Sequence, residues 1–304
     1  MKKILITGSN GLLGQKLVDL YTQAENLGQY SLIATSRGLD RRPQPDGYAY
    51  QSLDTSQPEA VFSLLAQLRP EVVIHTAAMT QVDACETERE ACWQHNVEAV
   101  QYLAEACQAH DIFLLHLSTD FIFDGAAGPY DETATPNPIS YYGQSKLAAE
   151  QVLQSTPGLR GAIARTVLVY GLSPTLSRSN IILWVKQSLE QGKTIQVVDD
   201  QWRTPTLAED LARGCFLIAE KEAEGIFNLS GPDMLTPYDM ALQTADFFGL
   251  DKSLIVRTDA SQFSQPARRP PKTGFILDKA RRELGYSPHS FAEGILVLSQ
   301  QMRK

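Results

Sequence analysis

Short apolar segments alternate with longer segments of helical periodicity through the first half of the chain. The continuous apolar segments predict buried strands at residues 3–7 (KILIT), 32–35 (LIAT), 72–75 (VVIH) and 112–117 (IFLLHL). Apolar side chains three and four positions apart predict helices at residues 12–22, 59–68 and 88–109. Strands that are apolar on both faces and alternate with helices are typical of a parallel sheet with helices on both sides. We therefore predict an α/β fold with a doubly wound parallel sheet.

The regular alternation ends near residue 170. Further strands are predicted at residues 161–165 and 195–198, and further helices at residues 180–191, 207–221 and 237–248. Residues 225–230 (GIFNLS) are predicted to rejoin the first sheet. Residues 261–272 (SQFSQPARRPPK) contain three prolines and two arginines, which predicts an extended loop.

These segments predict two domains. Residues 1–170 form the doubly wound domain, and residues 171–304 mostly form a smaller, mixed α/β substrate domain, with residues 206–230 returning to the first sheet. Ligands of such sheets bind beyond the carboxyl ends of the strands. The cleft between the two domains is therefore the expected site.

Composition narrows the class of partner. The net charge of −8 argues against nucleic acid or an anionic membrane as the main partner, and no apolar run approaches the ~18 residues of a membrane-spanning helix. The four cysteines form no CxxC pair and the five histidines no HExxH motif, so we expect no disulfide framework, no metal site and a reduced, cytoplasmic setting. Whether the chain forms a homodimer stays open.

A glycine-rich segment directly follows the first predicted strand. TGSNGLLG has the spacing GxxGxxG, and it leads into the first predicted helix. Glycines allow a tight turn and a close approach to a pyrophosphate, while the helix N-terminus supplies free N–H groups. The alternative is a tight turn without a ligand. We predict a dinucleotide-binding loop whose cofactor contacts are Gly8, Ser9, Asn10, Gly11, Leu12, Leu13 and Gly14.

The end of the second strand bears on which dinucleotide binds. An acidic residue there would accept a hydrogen bond from the ribose of NAD, but the chain has Ser36 and Arg37. A guanidinium suits a 2′-phosphate, so NADP(H) is favoured and NADH is the second option. A solvated loop arginine is the alternative. Asp54 is expected near the adenine, and the small Ala77 and Ala78 leave room for the cofactor.

The segment YYGQSKLAAE carries the candidate catalytic pair. On a helix, Tyr142 and Lys146 are i and i+4 and share a face, whereas Tyr141 points elsewhere. A phenol has a pKa near 10, so it needs a nearby cation to act as an acid or base at neutral pH. Thr119, in LSTD at the end of the predicted strand 112–117, is placed to hold a substrate carbonyl oxygen together with Tyr142. The alternative is an exposed Tyr–Lys contact without catalytic meaning.

Several motifs together resemble a known family. ITGSNGLLG, HTAAMTQVDACE, LSTDFIFDG, YYGQSK, DDQWRTPT and ARRPPKTGFILD are similar, in order, to the motifs of extended short-chain dehydrogenases/reductases, and more narrowly to the dTDP-4-dehydrorhamnose reductase family. The resemblance implies a Rossmann-like NADP(H)-binding domain and NADPH-dependent reduction of the 4-keto group of a nucleotide-linked 6-deoxyhexose. It implies a catalytic set of Thr119, Tyr142 and Lys146. It also implies substrate contacts from Thr80, Val82, Asp120, Gln201 and Arg269.

Two positions depart from the family pattern. Phe121 lacks the phenolic hydroxyl expected in STDY, and Leu168 replaces an expected tryptophan. Both would touch the sugar, so a same-fold enzyme acting on another nucleotide sugar or ketone is an alternative. The C-terminal half also resembles the regulatory beta subunit of methionine adenosyltransferase, which makes a non-catalytic NADP-binding subunit a further alternative. Cys85 and Cys92 are predicted to lie on one packed face.

Overall fold

The computed structural model describes residues 1–26, 28–42, 46–173, 180–263 and 265–303. Its strands are β1 Lys2–Thr7, β2 Tyr30–Ser36, β3 Ala49–Ser52, β4 Val72–His75, β5 Phe113–Thr119, β6 Gly161–Thr166, β7 Val169–Tyr170, β8 Ile195–Val198, β9 Thr206–Leu207, β10 Gly225–Asn228 and β11 Ile255–Thr258. Its α-helices are α1 Leu12–Tyr21, α2 Pro58–Leu68, α3 Val82–Thr87, α4 Arg89–Trp93, α5 Ala99–Ala109, α6 Tyr141–Ser155, α7 Ile181–Glu190, α8 Ala208–Lys221, α9 Pro237–Phe248 and α10 Phe291–Gln301.

Seven strands form one parallel sheet, which confirms the predicted fold class. Their order is β10-β6-β5-β4-β1-β2-β3, and every neighbouring pair is parallel. The order reverses between β1 and β4, the point at which doubly wound sheets bind ligands. The pairing of β10 with β6 also confirms that residues 225–230 rejoin this sheet.

Alternate side chains of β1 show how one strand supplies both faces of the sheet. Ile4 and Ile6 pack in a cluster with α1 and α8, whereas Leu5 packs in a second cluster with α2, α5 and α6. All three side chains are fully buried, and each such burial stabilises the fold by about 1.5–3 kcal/mol. The continuous apolar run of β1 is therefore the direct result of a sheet covered on both faces.

A smaller lobe packs at the carboxyl ends of the strands. It contains two parallel pairs, β8 with β11 and β7 with β9, together with α7, α9 and α10. Its apolar side chains form two clusters, one centred on Tyr170 and Phe291 and the other on Val185 and Ile195. The division of the chain into domains at residue 170 stays a prediction.

Two predicted segments differ from the structure. The helix predicted at residues 88–109 is interrupted by a π-helical turn, Gln94–Glu98. Asn96 in this turn exchanges hydrogen bonds with the Met79 backbone, with N···O distances of 2.8 and 3.1 Å, and donates to Ser145 Oγ at 3.1 Å. These inward contacts explain the interruption, because π turns often occur where a side chain is turned to a site.

The second difference is the loop predicted at residues 261–272. Its start is not extended, because Ala260–Gln262 form a 3-10 turn capped by the Asp259 carboxylate, and Ser264 lies outside the described residues. At the end of this loop, Lys272 forms an isolated β-bridge with Trp202. In the described part of the chain, no helix has the length and apolar character needed to cross a membrane.

Candidate active site

The glycine loop lies between β1 and α1 and makes close backbone contacts. Gly8 has φ +72°, and a Cβ on it would lie 2.6 Å from the Ala77 nitrogen. A Cβ on Gly14 would lie 2.6 Å from Ser9 Cα. Helix α1 begins after Gly11 without a side-chain cap, so its first turn presents N–H groups as an anion site would. The loop therefore has the geometry of a pyrophosphate cradle.

The loop after β2 is tied to this cradle through Asn10. The Asn10 side chain donates to the Leu39 carbonyl at 3.0 Å and accepts from the Arg41 backbone N–H at 3.0 Å. Arg37 is exposed at the same edge, where it also acts on the Asp54 carboxylate. Ser36 and Arg37, predicted for the ribose phosphate, and Asp54, predicted for the adenine, thus lie at the ends of β2 and β3.

Helix α6 carries both Tyr142 and Lys146. Ser140 caps the helix by accepting from the Gly143 N–H at 3.2 Å. Tyr142 and Lys146 are buried, with exposures of 9% and 2%, while Tyr141 is only partly buried at the edge of the Tyr142 cluster and stacks under the Arg89 guanidinium. Cys85 and Cys92 pack in one buried cluster with Tyr142, which agrees with the prediction of a shared packed face.

Thr119 ends β5 beside the Tyr142 phenol. Burial raises the pKa of Tyr142, and a hydrogen bond with the Thr119 hydroxyl acts in the opposite direction. The phenol is therefore protonated at neutral pH and faces a second hydroxyl. Such a pair can hold one oxygen atom of a ligand between them.

Asp120 lies directly behind this pair. Its carboxylate accepts hydrogen bonds from the hydroxyls of Thr119 and Thr273, and the Arg203 guanidinium lies 3.8 Å away. Burial raises the pKa of Asp120, while Arg203 and the hydroxyls lower it. Asp120 therefore joins the end of β5 to the smaller lobe.

Lys146 is a buried cation with an imidazole beside it. Burial lowers the pKa of Lys146 to about 8, and the Glu150 carboxylate opposes that effect. Lys146 Nζ lies 3.1 Å from His116 Nε2 of β5. The lysine is thus held from the sheet side.

One cavity of about 740 Å³ collects most of these residues. Of the predicted site residues, those that line it are Gly11, Leu12, Leu13, Gly14, Ala78, Thr80, Val82, Thr119, Asp120, Tyr142, Lys146 and Arg269. The others lie outside the wall of this cavity, at the glycine loop and at the ends of β2 and β3, an edge that we call the cofactor edge: Gly8, Ser9, Asn10, Ser36, Arg37, Asp54 and Ala77. Gln201 is not in the wall of the cavity, although it lies at the base of the smaller lobe, next to Trp202 and Arg203. Phe121 and Leu168 both line the wall.

Arg269 reaches the cavity from the loop of the smaller lobe. It is paired with Asp83, with Nη2 to Oδ2 at 2.7 Å and Nη1 to Oδ1 at 3.2 Å. Hydrogen bonds from Arg269 lower the pKa of Asp83. The guanidinium is therefore already oriented, and a bound anion would compete with this carboxylate.

Two polar residues of the site were not predicted. His116 interrupts the apolar run 112–117, and a histidine within a buried strand was the available signal. Arg203 was present in the motif DDQWRTPT but received no role. It is 5% exposed and donates to the Pro270 carbonyl at 2.7 Å, and nothing local in the sequence shows that its partner is Asp120.

Comparison with known proteins gives a consistent result. The family model described as RmlD substrate binding domain matches residues 1–303. The dTDP-4-dehydrorhamnose reductase of Aggregatibacter actinomycetemcomitans is 30% identical over 307 residues, which are 97% of this chain and 97% of the relative.

A second relative and a solved structure extend the comparison. Methionine adenosyltransferase 2 subunit beta of Rattus norvegicus is 33% identical over 258 residues, 83% of this chain and 74% of the relative. The crystal structure of dTDP-4-dehydrorhamnose reductase (rfbD) from Bacillus anthracis str. Ames in complex with NADP has a TM-score of 0.83 and 25% identity. The match covers 99% of this chain and 100% of that chain.

Proposed function

Because the chain belongs to the dTDP-4-dehydrorhamnose reductase family, whose RmlD substrate binding domain model it matches along its length, we propose that it uses NADPH to reduce the 4-keto group of a nucleotide-linked 6-deoxyhexose. The observation that carries the proposal is the convergence in one cavity of the glycine loop, Thr119 and the buried pair Tyr142 and Lys146. No other described part of the chain combines a phosphate cradle with a buried acid.

The residues at the cofactor edge fit a dinucleotide. Gly8 and Gly14 leave no room for a Cβ, and the buried Ser9 hydroxyl has no hydrogen-bond partner among the described residues. The first turn of α1 would hold the pyrophosphate, and Ser36 and Arg37 would hold the ribose 2′-phosphate. The relative solved with NADP supports this choice, with NADH as the second option. When bound, the reduced nicotinamide supplies the hydride.

Tyr142 is placed to supply the proton. In the reducing direction the carbonyl carbon gains the hydride and the carbonyl oxygen gains the Tyr142 phenolic proton, which leaves a phenolate. Because burial raises the pKa of Tyr142, the proton is present at neutral pH before reaction. Lys146, one helical turn along, stabilises the phenolate, and the Thr119 hydroxyl holds the carbonyl oxygen.

The substrate side of the cavity combines polar and apolar walls. Thr80 and Val82 follow β4, and Arg269 is the cation that would meet the diphosphate. Gln201 would take part only through a rearrangement of the segment before Arg203. These assignments rest on the family resemblance and on the position of each residue at the cavity.

The decisive experiment follows NADPH absorbance with dTDP-4-dehydro-6-deoxy-L-mannose. We expect wild-type turnover, and a loss of about 10²–10⁴-fold in kcat for Tyr142→Phe, because the general acid is removed. Tyr141→Phe is the matched control, since Tyr141 lies outside the buried cluster, and it should keep wild-type turnover. Near-wild-type activity of Tyr142→Phe would exclude this mechanism.

The relatives named as a methionine adenosyltransferase subunit support a second candidate, a cofactor-binding regulatory subunit. The buried Tyr142 with its Thr119 partner favours the enzyme, because a binding module does not need that geometry. A further possible result of the NADPH experiment depends on Phe121 and Leu168, which make the cavity wall more apolar than the family pattern leads us to expect. If NADPH binds but the 4-keto sugar is not reduced, another carbonyl substrate or the regulatory role becomes the better account.

A further inference from the structure

Three buried polar side chains form a row across the centre of the sheet. Thr7 of β1, His75 of β4 and His116 of β5 are neighbours in register, so their side chains emerge on the same face. Thr7 Oγ1 lies 2.7 Å from His75 Nδ1, and the two imidazoles stack with centroids 5.5 Å apart and planes at 22°. The row ends at Lys146, whose Nζ lies 3.1 Å from His116 Nε2.

Burial fixes the charge of the imidazoles. His75, His116 and Thr7 are each 1% exposed. Burial lowers the pKa of His116 well below its usual range, and the Lys146 charge lowers it further. Burial likewise lowers the pKa of His75 to about 3. Both rings are therefore neutral at physiological pH, and since an ammonium only donates hydrogen bonds, His116 Nε2 is the acceptor and Nδ1 carries the ring proton.

We propose that His116 is a positioning residue, an inference that rests on the proposed function. His116 accepts one hydrogen of the Lys146 ammonium. The other two hydrogens are thereby directed toward Tyr142 and the ribose hydroxyls of the cofactor. The sheet supplies this contact from a rigid strand two positions before Ser118. A site held by a strand is more accurate than one held by a loop. His75 stacks on His116 and limits its rotation, and Thr7 holds His75 through their hydrogen bond.

The other groups facing Lys146 do not replace this contact. They are His75 of β4, Cys92 of α4, and Glu150 of the lysine's own helix. Glu150 is occupied by the Arg165 guanidinium, with oxygen–nitrogen distances of 2.6 and 3.0 Å. Cys92 accepts from Asn96 and donates to Ser145. His116 is thus the described side chain that lies within hydrogen-bond distance of Lys146 Nζ.

A direct consequence concerns the protonation of Lys146. An acceptor for the ammonium favours the charged form and raises the lysine pKa. Without His116 the ammonium should be lost at lower pH. Reduction needs the charged lysine, so the alkaline fall in kcat/KM should also move to lower pH.

The test compares His116→Leu, which removes the acceptor, with His116→Gln, whose amide oxygen can replace it. The Lys146 Nζ signal is followed by ¹⁵N NMR against pH without cofactor, and is assigned with Lys146→Met. We expect a wild-type midpoint near the pKa of about 8. It should fall by about one pH unit in His116→Leu and return toward wild type in His116→Gln. His75→Leu makes the same substitution one strand away and keeps the His116 acceptor, so its midpoint should fall by less than that of His116→Leu.

Two further measurements separate this proposal from the function. In wild-type protein the His116 ring nitrogens should show the Nδ1–H tautomer by NMR, and a protonated Nε2 would overturn the proposal even if no variant folds. NADP⁺ affinity measured by calorimetry should fall about tenfold in His116→Leu. Equal midpoints for wild type and His116→Leu would also overturn it. Absence of sugar reduction by wild type, with these shifts intact, would reject the proposed substrate and keep the role of His116.

Discussion

At the scale of single residues, burial decides the charge of each group around the Tyr142 hydroxyl. Burial raises the pKa of Tyr142 and of Asp120, whereas it lowers the pKa of Lys146 to about 8. Arg203, itself 5% exposed, opposes the effect on Asp120. The cavity therefore holds a protonated phenol next to a cation that titrates near physiological pH, which suits proton donation to a carbonyl oxygen.

Two glycines of the loop should respond differently to alanine. In Gly14→Ala the new Cβ would lie 2.6 Å from Ser9 Cα, which is backbone and cannot move cheaply. In Gly11→Ala the nearest atom is the Gly8 carbonyl oxygen at 3.2 Å. We expect the free energy of unfolding, from urea titration, to fall by about 1–3 kcal/mol in Gly14→Ala and by less in Gly11→Ala.

Calorimetry with NADP⁺ completes this comparison. Both variants should bind it more weakly, because both residues line the cavity at the start of α1. Wild-type stability of Gly14→Ala would mean that the loop does not approach Ser9 as closely as described.

At the scale of the elements, helix α6 is fixed to the sheet by a buried ion pair. Glu150 of α6 and Arg165 of β6 are 1% and 3% exposed as side chains, and the pair is bidentate. Glu150 lies two turns beyond Tyr142 and one beyond Lys146. The pair therefore sets the height of the catalytic turn above β5.

Replacing only one partner of this ion pair should destabilise the protein more than replacing both partners. Glu150→Ala leaves the Arg165 charge buried without its carboxylate, and we expect a loss of about 3–5 kcal/mol in the free energy of unfolding. The double variant Glu150→Leu/Arg165→Met should recover most of that loss, because it removes both charges and keeps volume. Chemical denaturation of wild type and the two variants measures this, and a double variant that is no more stable than Glu150→Ala would contradict it.

The accuracy of prediction at this scale followed the burial of each element. Strands such as β1 and β4 were predictable because both faces are buried and the run is apolar throughout. β3, which is mostly exposed and only four residues long, leaves no such run. The break after Trp93 was not predictable, because it depends on Asn96 meeting Ser145 of a distant helix. For the same reason Thr119 and Tyr142 could be located from motifs, but the His116 partner of Lys146, 30 residues away, could not.

At the scale of the whole molecule, the cavity lies where the smaller lobe meets the carboxyl ends of the sheet. Three hydrogen bonds connect the smaller lobe to the other side of the cavity: Ala267 and Arg269 donate to Asp83, and Thr273 donates to Asp120. One short segment of the smaller lobe thus touches both α3 and the end of β5. A ligand bound in the cavity would therefore meet this segment at Arg269.

Arg269 should therefore affect substrate binding without affecting the cofactor. We expect Arg269→Ala to raise the KM for the nucleotide sugar by about 10–100-fold, the loss of charged hydrogen bonds to a diphosphate. NADPH affinity by fluorescence titration should stay unchanged. The exposed neighbour Arg268, changed to alanine, is the matched control and should leave both constants as in wild type. Equal effects of the two substitutions would show that only general positive charge matters.

Leu168 lines the cavity, but its side chain is not packed into the core of the protein. Its backbone is in the left-handed region, at φ +33°, which leucine rarely adopts, and its side chain residue is 45% exposed. The position is held through its carbonyl, which accepts from the Thr206 N–H at 3.2 Å, rather than through side-chain packing. A substitution at this residue would therefore change the wall of the cavity and leave the packed core unchanged, so what the cavity binds can change without a change of fold.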